Sequence, residues 1–257
     1  MKKWVFKLCL TCLVLLLPCI VEAGQFSVSP VIVAIEHGAK SGSIVIGNED
    51  RLPLQFRIKA SVWTQDSAGK DMYADTDEII FYPKMLHLDI GEQRVVRIGM
   101  KGHATDRERT YRLFIEEVPT AQMAEEMRKK AAGASGRVSV IMRIAPAIFY
   151  APIVPKTEAR IDSIHLDKGA VHVRITNAGN VHIKLQTIKM TGKASDGRII
   201  FNKEVAGWYL LSGVSRDFEA VISPNECRSA SVIEVGAEGE TLNLKRSLDV
   251  QTELCPK

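Results

Sequence analysis

The sequence of 257 residues predicts an all-β protein built from two β-sandwich domains. Three observations predict this fold class. Short runs of alternating apolar and polar residues recur along the chain, as in strands that bury one face. Clusters of Gly, Asn and Asp separate these runs, and a proline-rich stretch at 151–155 divides them into two sets, as a stiff linker between domains does.

The first set of runs predicts an N-terminal domain over residues 24–152. In the run 54–62, apolar residues such as Phe56 and Ile58 alternate with polar residues such as Arg57. Six further runs lie at 28–35, 43–46, 79–88, 94–100, 111–118 and 138–150. Seven strands in about 125 residues are typical of an immunoglobulin-like sandwich. The segment 120–132 is rich in Ala, Met, Glu and Lys, which predicts a helical insertion before the last strand.

The second set predicts a C-terminal sandwich domain over residues 153–257. Its predicted strands lie at 159–166, 170–176, 181–190, 199–205, 215–222, 229–235 and 244–254. No tandem repeat is visible beyond this strand spacing, so two separate domains of similar architecture are expected.

The N-terminus has the pattern of a secretory signal peptide over residues 1–23. Lys2, Lys3 and Lys7 precede the apolar run 8–17, and small residues precede Gly24. The apolar run is shorter than the roughly 20 residues that span a bilayer, so no membrane insertion is predicted. The mature protein is therefore expected to be exported.

Cysteine usage agrees with an exported protein. Only Cys227 and Cys255 remain after the signal is removed, which predicts one disulfide in an oxidising compartment. Two buried free thiols are the alternative.

Charge and motifs exclude several functions. Without the signal's three lysines and one glutamate, the chain has 31 basic and 29 acidic residues, too balanced to predict nucleic-acid binding. No nucleophile elbow, zinc-protease helix or phosphate loop is present, so no enzyme and no cofactor are predicted. His165, His172 and His182 are the best metal candidates, but the flanks of the first two favour solvent-facing strand positions, so no metal site is predicted.

The run "RVSVIMRIAPAIFY", residues 137–150, is the candidate binding segment. Val138, Val140, Met142 and Ile144 share one side of this strand. The pattern alone favours ordinary core. The alternative is an edge strand that pairs with another molecule.

Several stretches together resemble the PapD-like periplasmic chaperones of the chaperone/usher pilus pathway. They are "IVIGNED" (44–50), "FYPKMLHLDIGEQRVVRI" (81–98), "YRLFIEEVP" (111–119), "RVSVIMRIAPAIFYAP" (137–152), "ITNAGNVH" (175–182) and "GWYLLSG" (207–213). The most specific combination is "YRLFIEEVP" followed by the alternating strand and "FYAP".

The resemblance implies two immunoglobulin-like domains in an L-shaped arrangement, located in the periplasm. Such chaperones bind pilus or fimbrial subunits that lack a strand, complete them with their own strand, and deliver them to an outer-membrane usher. The matching donor residues here are Val138, Val140 and Met142, with Ile144 as a weaker fourth. The resemblance leaves open whether the chaperone self-associates when it has no subunit.

The chain departs from the family pattern in the residues that grip the subunit's terminal carboxylate. An arginine and a lysine are typical there, but the matching positions hold Ile32 or Val33 and Ala147. Ala151 also replaces the basic partner of an interdomain ion pair that would involve Glu117. The chain therefore resembles a divergent branch, close to the archaic or alternative systems.

Arg112 and Arg143 are the substitute anchors that we predict. If Val118 pairs with Val138, antiparallel register places Arg112 beside Ile144, one step from Arg143. Arginine binds carboxylates through two parallel hydrogen bonds, which suits this role. The alternative for each is a solvated strand position.

Two other functions remain as alternatives. A structural pilus subunit or surface adhesin would also consist of β-sandwiches, and a metalloprotein would use the three histidines.

Overall fold

The computed structural model describes residues 25–119, 125, 141–167 and 169–255. The predicted signal peptide, the predicted helical insertion apart from Glu125, and the candidate donor residues Val138 and Val140 lie outside the described residues.

The first half of the chain forms two facing sheets. Its strands are β1 (Phe26–Ser29), β2 (Ile32–Ile35), β3 (Ser41–Asn48), β4 (Leu54–Gln65), β5 (Asp71–Asp75), β6 (Ile79–Tyr82), β7 (Met85–Leu88), β8 (Gln93–Met100), β9 (Arg109–Glu117), β10 (Arg143–Ile144) and β11 (Ala147–Tyr150). One sheet has the order β1-β3-β8-β6. The other has the order β2-β11-β9-β4-β5, with β10 paired to β9 and β7 paired to β4.

The second half forms two further sheets. Its elements are β12 (Ala159–Asp167), β13 (Ala170–Asn177), β14 (Ile183–Lys193), β15 (Ile199–Ala206), β16 (Tyr209–Leu210), β17 (Ser215–Val221), helix α1 (Pro224–Ser229), β18 (Val232–Gly239), β19 (Asn243–Asp249) and a 3₁₀ turn (Thr252–Leu254). The sheet orders are β12-β13-β17 and β15-β14-β18-β19, with β16 paired to β14. The predicted all-β fold class is confirmed.

Each half has its own apolar core, filled by the alternation that the sequence shows. In β4, Phe56 and Ile58 are buried while Arg57 and Lys59 are exposed. In β13, Val171, Val173 and Ile175 are fully buried in the second core. Burying one such side chain contributes about 1.5–3 kcal/mol, so each sandwich is stabilised mainly by its inward rows.

Three predicted strands are divided at prolines. Residues 28–35, 79–88 and 138–150 were each expected to form one strand, but the chain breaks at Pro30, Pro83 and Pro146. Proline has no backbone N–H for a sheet ladder and fixes its own φ, so a strand tends to end there. At Pro30 the chain crosses between sheets, because β1 pairs with β3 whereas β2 pairs in parallel with β11.

The predicted strands at 229–235 and 244–254 also differ from the structure. Helix α1 precedes β18, and it begins with a capping box in which Ser223 and Glu226 exchange side-chain and backbone hydrogen bonds. Strand β19 ends at Asp249. Strand β5 was not predicted at all, since its residues are mostly exposed and lack an apolar row.

The predicted disulfide joins Cys227 in α1 to Cys255, with Cα atoms 5.7 Å apart and a sequence separation of 28 residues. Cys227 is buried in the second core. The bond therefore ties the end of the described chain to the C-terminal sandwich.

We expect the double substitution Cys227→Ala, Cys255→Ala to lower the free energy of unfolding by about 3–4 kcal/mol, because the open chain gains loop entropy when it unfolds. Urea denaturation of both proteins under non-reducing conditions measures the difference. Dithiothreitol should destabilise only the wild type. Equal stability of the two proteins without reductant would contradict a stabilising disulfide.

Candidate functional site

Strand β10 lies at an edge of the larger N-terminal sheet. It pairs with β9 through Arg143 opposite Glu116 and Ile144 opposite Ile115. Beyond Pro146, β11 has β9 on one side and β2 on the other. Within the described ranges, no strand pairs with β10 on the side away from β9. The chain therefore changes from an edge to an interior position within a few residues.

Among the described residues, some backbone hydrogen-bonding groups of this edge have no partner. Glu117 donates its backbone N–H to the carbonyl of Met142 at 3.1 Å, so Met142 faces β9. Hydrogen bonding alternates along an antiparallel ladder, and the backbone groups of Ile141 and Arg143 therefore face away from β9. An extended segment of another chain can pair with these groups.

The side chains of the edge also alternate. Met142 and Ile144 are partly buried and pack against the N-terminal core, whereas Ile141 is 58% exposed. If a β-sandwich of another protein paired one of its strands with β10, its apolar core would lie next to the N-terminal core. Met142 and Ile144 would then become buried between the two cores.

The predicted register between the arginines is wrong. Arg112 lies opposite Ala147, and Ile144 lies opposite Ile115 rather than Arg112. The expectation assumed that Val118 pairs with Val138. A long connection does not fix the register of the strands it joins, and here inward packing of the apolar rows fixes it instead. Arg112 and Arg143 are consequently about four strand positions apart, or roughly 13 Å.

Arg112 lies close to the junction of the two halves. Its guanidinium carbon is 3.9 Å from the centroid of the Trp63 ring and 5.9 Å from that of Tyr209. Nη1 donates to the carbonyl of Ala145 at 2.9 Å. Nε is buried and has no hydrogen-bond partner among the described residues. Arginine has five N–H donors, and one of them is used by Ala145 in the described residues, so the guanidinium has donors left for an anionic ligand.

Arg112 also lies level with Ile32 and Ala147, which match the positions of the arginine and lysine in the family pattern. Ala147 pairs with Ile32 on β2 and with Arg112 on β9, so the three residues form one row across the sheet. Directly opposed residues point to the same face of a sheet. The structure thus places a guanidinium beside the two apolar replacements.

Arg143 lies on the same outer face, farther from the junction. Its side chain is 60% exposed, with Nη1 3.2 Å from a carboxylate oxygen of Glu116 and the guanidinium 4.9 Å from the Phe114 ring centroid. Exposed ion pairs contribute little to stability, so Arg143 can exchange this partner readily.

Two aromatic rings lie near both arginines. Tyr73 contacts Phe114 edge to face, with centroids 5.2 Å apart. Burial raises the pKa of Tyr73 and the Asp71 carboxylate raises it further, while Arg112 and Arg143 act in the opposite direction. The outer face between the two arginines is therefore aromatic, with a neutral phenol at pH 7.

The junction of the two halves is an apolar cluster. Trp63, Ala147 and Phe149 from the first half pack against Tyr209 and Leu211 from the second. Gln65 links the two halves through hydrogen bonds. Its side chain donates to the carbonyl of Tyr209 and accepts from the N–H of Leu211, both at 2.9 Å. Tyr209, from the stretch "GWYLLSG", therefore belongs to the packed junction.

A hydrogen-bonded contact between Glu108 and His182 at the junction was missed in the sequence. Glu108 is nearly buried and accepts hydrogen bonds from the backbone N–H of His182 at 2.8 Å and from its ring, with Nδ1 2.8 Å from Oε2. The imidazole stacks on Phe149 with centroids 3.5 Å apart. Glu117, the acidic residue predicted to lose an interdomain partner, instead accepts from the N–H of Met142 at 3.4 Å. Glu108 and His182 are 74 positions apart in the sequence, so no local sequence pattern indicates their contact.

The histidines do not converge. His165 lies opposite His172 with parallel rings, whereas His182 lies at the junction. In the described part of the chain, no group of three or more His, Cys, Asp or Glu side chains is arranged to hold a metal ion. A search of the same residues finds no helix that is both long and apolar enough to cross a bilayer.

Residues 25–155 match the family described as "Pili and flagellar-assembly chaperone, PapD N-terminal domain". The chain belongs to this family. It is 29% identical over 152 residues to the probable fimbrial chaperone EcpB of Klebsiella pneumoniae strain 342, a match that covers 58% of this chain and 60% of the relative. The probable fimbrial chaperone EcpB of Escherichia coli O1:K1 is 29% identical over 147 residues, covering 56% and 58%. The chain thus spans less than two thirds of these relatives.

Solved structures of chaperones share the fold over nearly their whole length. The chaperone–tip subunit complex CsuC–CsuE of Acinetobacter baumannii archaic pili superposes with a TM-score of 0.60 at 19% identity, covering 86% of this chain and 98% of that one. SafB bound to the SafA pilin of Salmonella enterica gives 0.58 at 14% identity, covering 89% and 98%. The predicted pair of immunoglobulin-like domains is confirmed by this shared fold.

We expect Glu108→Ala to lower the free energy of unfolding by about 2 kcal/mol, because the His182 backbone N–H loses its buried acceptor. Glu238→Ala is the matched control, since Glu238 pairs with Lys189 at 3.0 Å on an exposed surface. It should change stability by less than about 0.5 kcal/mol. Urea denaturation measures both. A similar small effect from each would mean that the junction contact contributes nothing.

Proposed function

We propose that this protein is a non-enzymatic periplasmic chaperone that binds fimbrial subunits by strand donation and delivers them to an outer-membrane usher. The observation that carries the proposal is the β10 edge, where one segment combines half-buried apolar side chains with backbone groups that have no partner among the described residues. Membership of the pilus-chaperone family and the shared chaperone fold support it. The export signal predicted at residues 1–23 supports the periplasmic location.

The donor strand, residues 138–144, supplies both register and binding energy in this proposal. Backbone hydrogen bonds from the outward groups of Ile141 and Arg143 align the subunit strand. Met142 and Ile144 already face the interior layer, and Val140 and Val138 continue the same alternation in the sequence. Each residue that becomes fully buried contributes about 1.5–3 kcal/mol before ordering costs, so three or four can hold a subunit that lacks a strand.

Arg112 is the primary carboxylate anchor in this proposal, and Arg143 is a secondary contact. Arg112 lies in the row of Ile32 and Ala147 and has a buried Nε without a partner among the described residues. A chain that pairs with β10 and ends at Arg112 runs in the same direction as β10. Arg143 would then contact a residue about four positions before the subunit's C-terminus.

We do not propose a second function for this protein. The comparisons do not favour the alternative of a structural pilus subunit or surface adhesin. Pilus or fimbrial subunits and an outer-membrane usher are the partners in this proposal.

The donor strand is tested by recovering partners on tagged protein from the periplasm of the native host. We expect Val140→Asp, Met142→Asp to lose the small β-rich subunits that the wild type retains, because two carboxylates would enter an apolar groove. Ile141→Asp is the matched control, as it adds a charge to the adjacent outward position and should retain them. All variants must keep the wild-type thermal transition. Equal recovery with all three proteins would rule out donation by this row.

The anchor is tested with separate charge reversals. We expect Arg112→Glu to weaken retention of a subunit by more than about tenfold, because it places a like charge beside the terminal carboxylate. Arg143→Glu should weaken it by only a few fold, since Arg143 is largely exposed. Competition binding with the purified subunit measures both. Wild-type retention in both variants would remove the two arginines from the proposal.

A further inference from the structure

Asp71 connects the aromatic junction to Arg112. One carboxylate oxygen accepts hydrogen bonds from Nε1 of Trp63 and Nε2 of Gln65, both at 2.9 Å. The other oxygen accepts from Nε1 of Trp208 at 3.1 Å. Three N–H donors, one of them from the second half of the chain, are therefore oriented by a single carboxylate.

The Trp63 ring is the surface on which Arg112 lies. Trp63 is fully buried, and its centroid is 3.9 Å from the Arg112 guanidinium carbon. Attraction between a cation and an aromatic ring depends on the electron density of the ring and on its position under the cation. A carboxylate that accepts from the indole N–H fixes the ring plane and increases its electron density. Both effects hold Arg112 in place.

We propose that Asp71 is a positioning residue for Arg112, acting through the indole of Trp63, so that the arginine presents its remaining donors to a terminal carboxylate. This inference rests on the proposed anchor role of Arg112. Asp71 itself touches no ligand in this arrangement, because its oxygens are occupied by the two tryptophans and Gln65.

If Asp71 positions Arg112, neutralising Asp71 should change anion affinity in the direction opposite to that expected from its charge alone. Removing a negative charge close to an anion site should strengthen anion binding. If Asp71 positions Arg112, its neutralisation should weaken binding instead. Asp71→Asn is nearly isosteric, which keeps the two explanations distinguishable.

Strand β5 offers a matched control. Asp75 is on the same strand, is highly exposed and pairs with Lys59 at 2.7 Å. Asp75→Asn removes the same charge from the same strand without touching either tryptophan. It should leave carboxylate affinity unchanged or slightly raised.

The probe is N-acetylglycine, which presents a carboxylate beside a peptide bond, with N-acetylglycinamide as the neutral comparison. Titrations of the full chain at pH 7 and constant ionic strength are followed by the ¹H–¹⁵N signals of arginine Nε, with Arg112 assigned from the spectrum of Arg112→Lys. We expect wild type to bind the carboxylate and not the amide. Asp71→Asn should weaken carboxylate binding by about three- to tenfold.

Two further variants separate the path through Trp63 from the path through the domain junction. Trp63→Phe keeps an aromatic ring but has no N–H, so it should reproduce the loss and add nothing to Asp71→Asn. Trp208→Phe removes only the junction hydrogen bond to Asp71 and should bind as the wild type does.

These titrations distinguish the positioning role of Asp71 from the anchor role of Arg112. Unchanged or tighter binding by Asp71→Asn overturns the positioning role while leaving the anchor intact, and so does an equal loss from Trp208→Phe. If the Arg112 signal of the wild type does not respond to N-acetylglycine, the anchor assignment fails and the positioning role fails with it. Donation by the β10 edge is tested separately by the aspartate variants and is unaffected by either result.

Discussion

The candidate site depends on how β10 and β11, two adjacent strands of the segment 141–150, are paired within the sheet. Strand β11 has hydrogen-bonded neighbours on both sides, whereas β10 has only β9 among the described strands. Pro146 lies between them and cannot donate to a ladder. The sheet consequently holds residues 147–150 as core and leaves residues 141–144 as an edge. Met142 and Ile144 are half-buried at this edge of the first core.

The domain junction places a charge beside this edge. Arg112 is on the outward side of β9, and the junction rings cover it from one side while Ala145 binds it from another. A partly buried guanidinium keeps its charge but loses water, so it gains from an anionic partner more than an exposed arginine does. The same reasoning explains why Arg143, which is largely exposed and already pairs with Glu116, is the weaker candidate.

Much of the fold could be predicted because alternation directly reflects burial, as Phe56, Ile58 and the outward Arg57 show. The strand breaks were missed because Pro30, Pro83 and Pro146 interrupt runs whose apolar pattern continues on both sides. Helix α1 was missed although Ser223 and Glu226 have capping-box spacing, because the following residues resemble a strand. The inward packing of Met142 and Ile144 follows the alternation in the sequence, whereas Arg112 and Arg143 were proposed as anchors from their charge and stay a prediction. Their register, and the contact of Glu108 with His182, depend on tertiary packing that no local pattern encodes.

The parallel pairing of β2 with β11 has a mechanical consequence. It fixes one end of the segment 141–150 between two neighbours, while the other end leads into the long connection before residue 141. In the proposed strand donation, a ladder with a second chain is held in register at the β11 end and separates most easily from the end where β9 is the one paired neighbour among the described strands. Any exchange of partners on this edge therefore has a direction, beginning at the Ile141 end and finishing beside the domain junction.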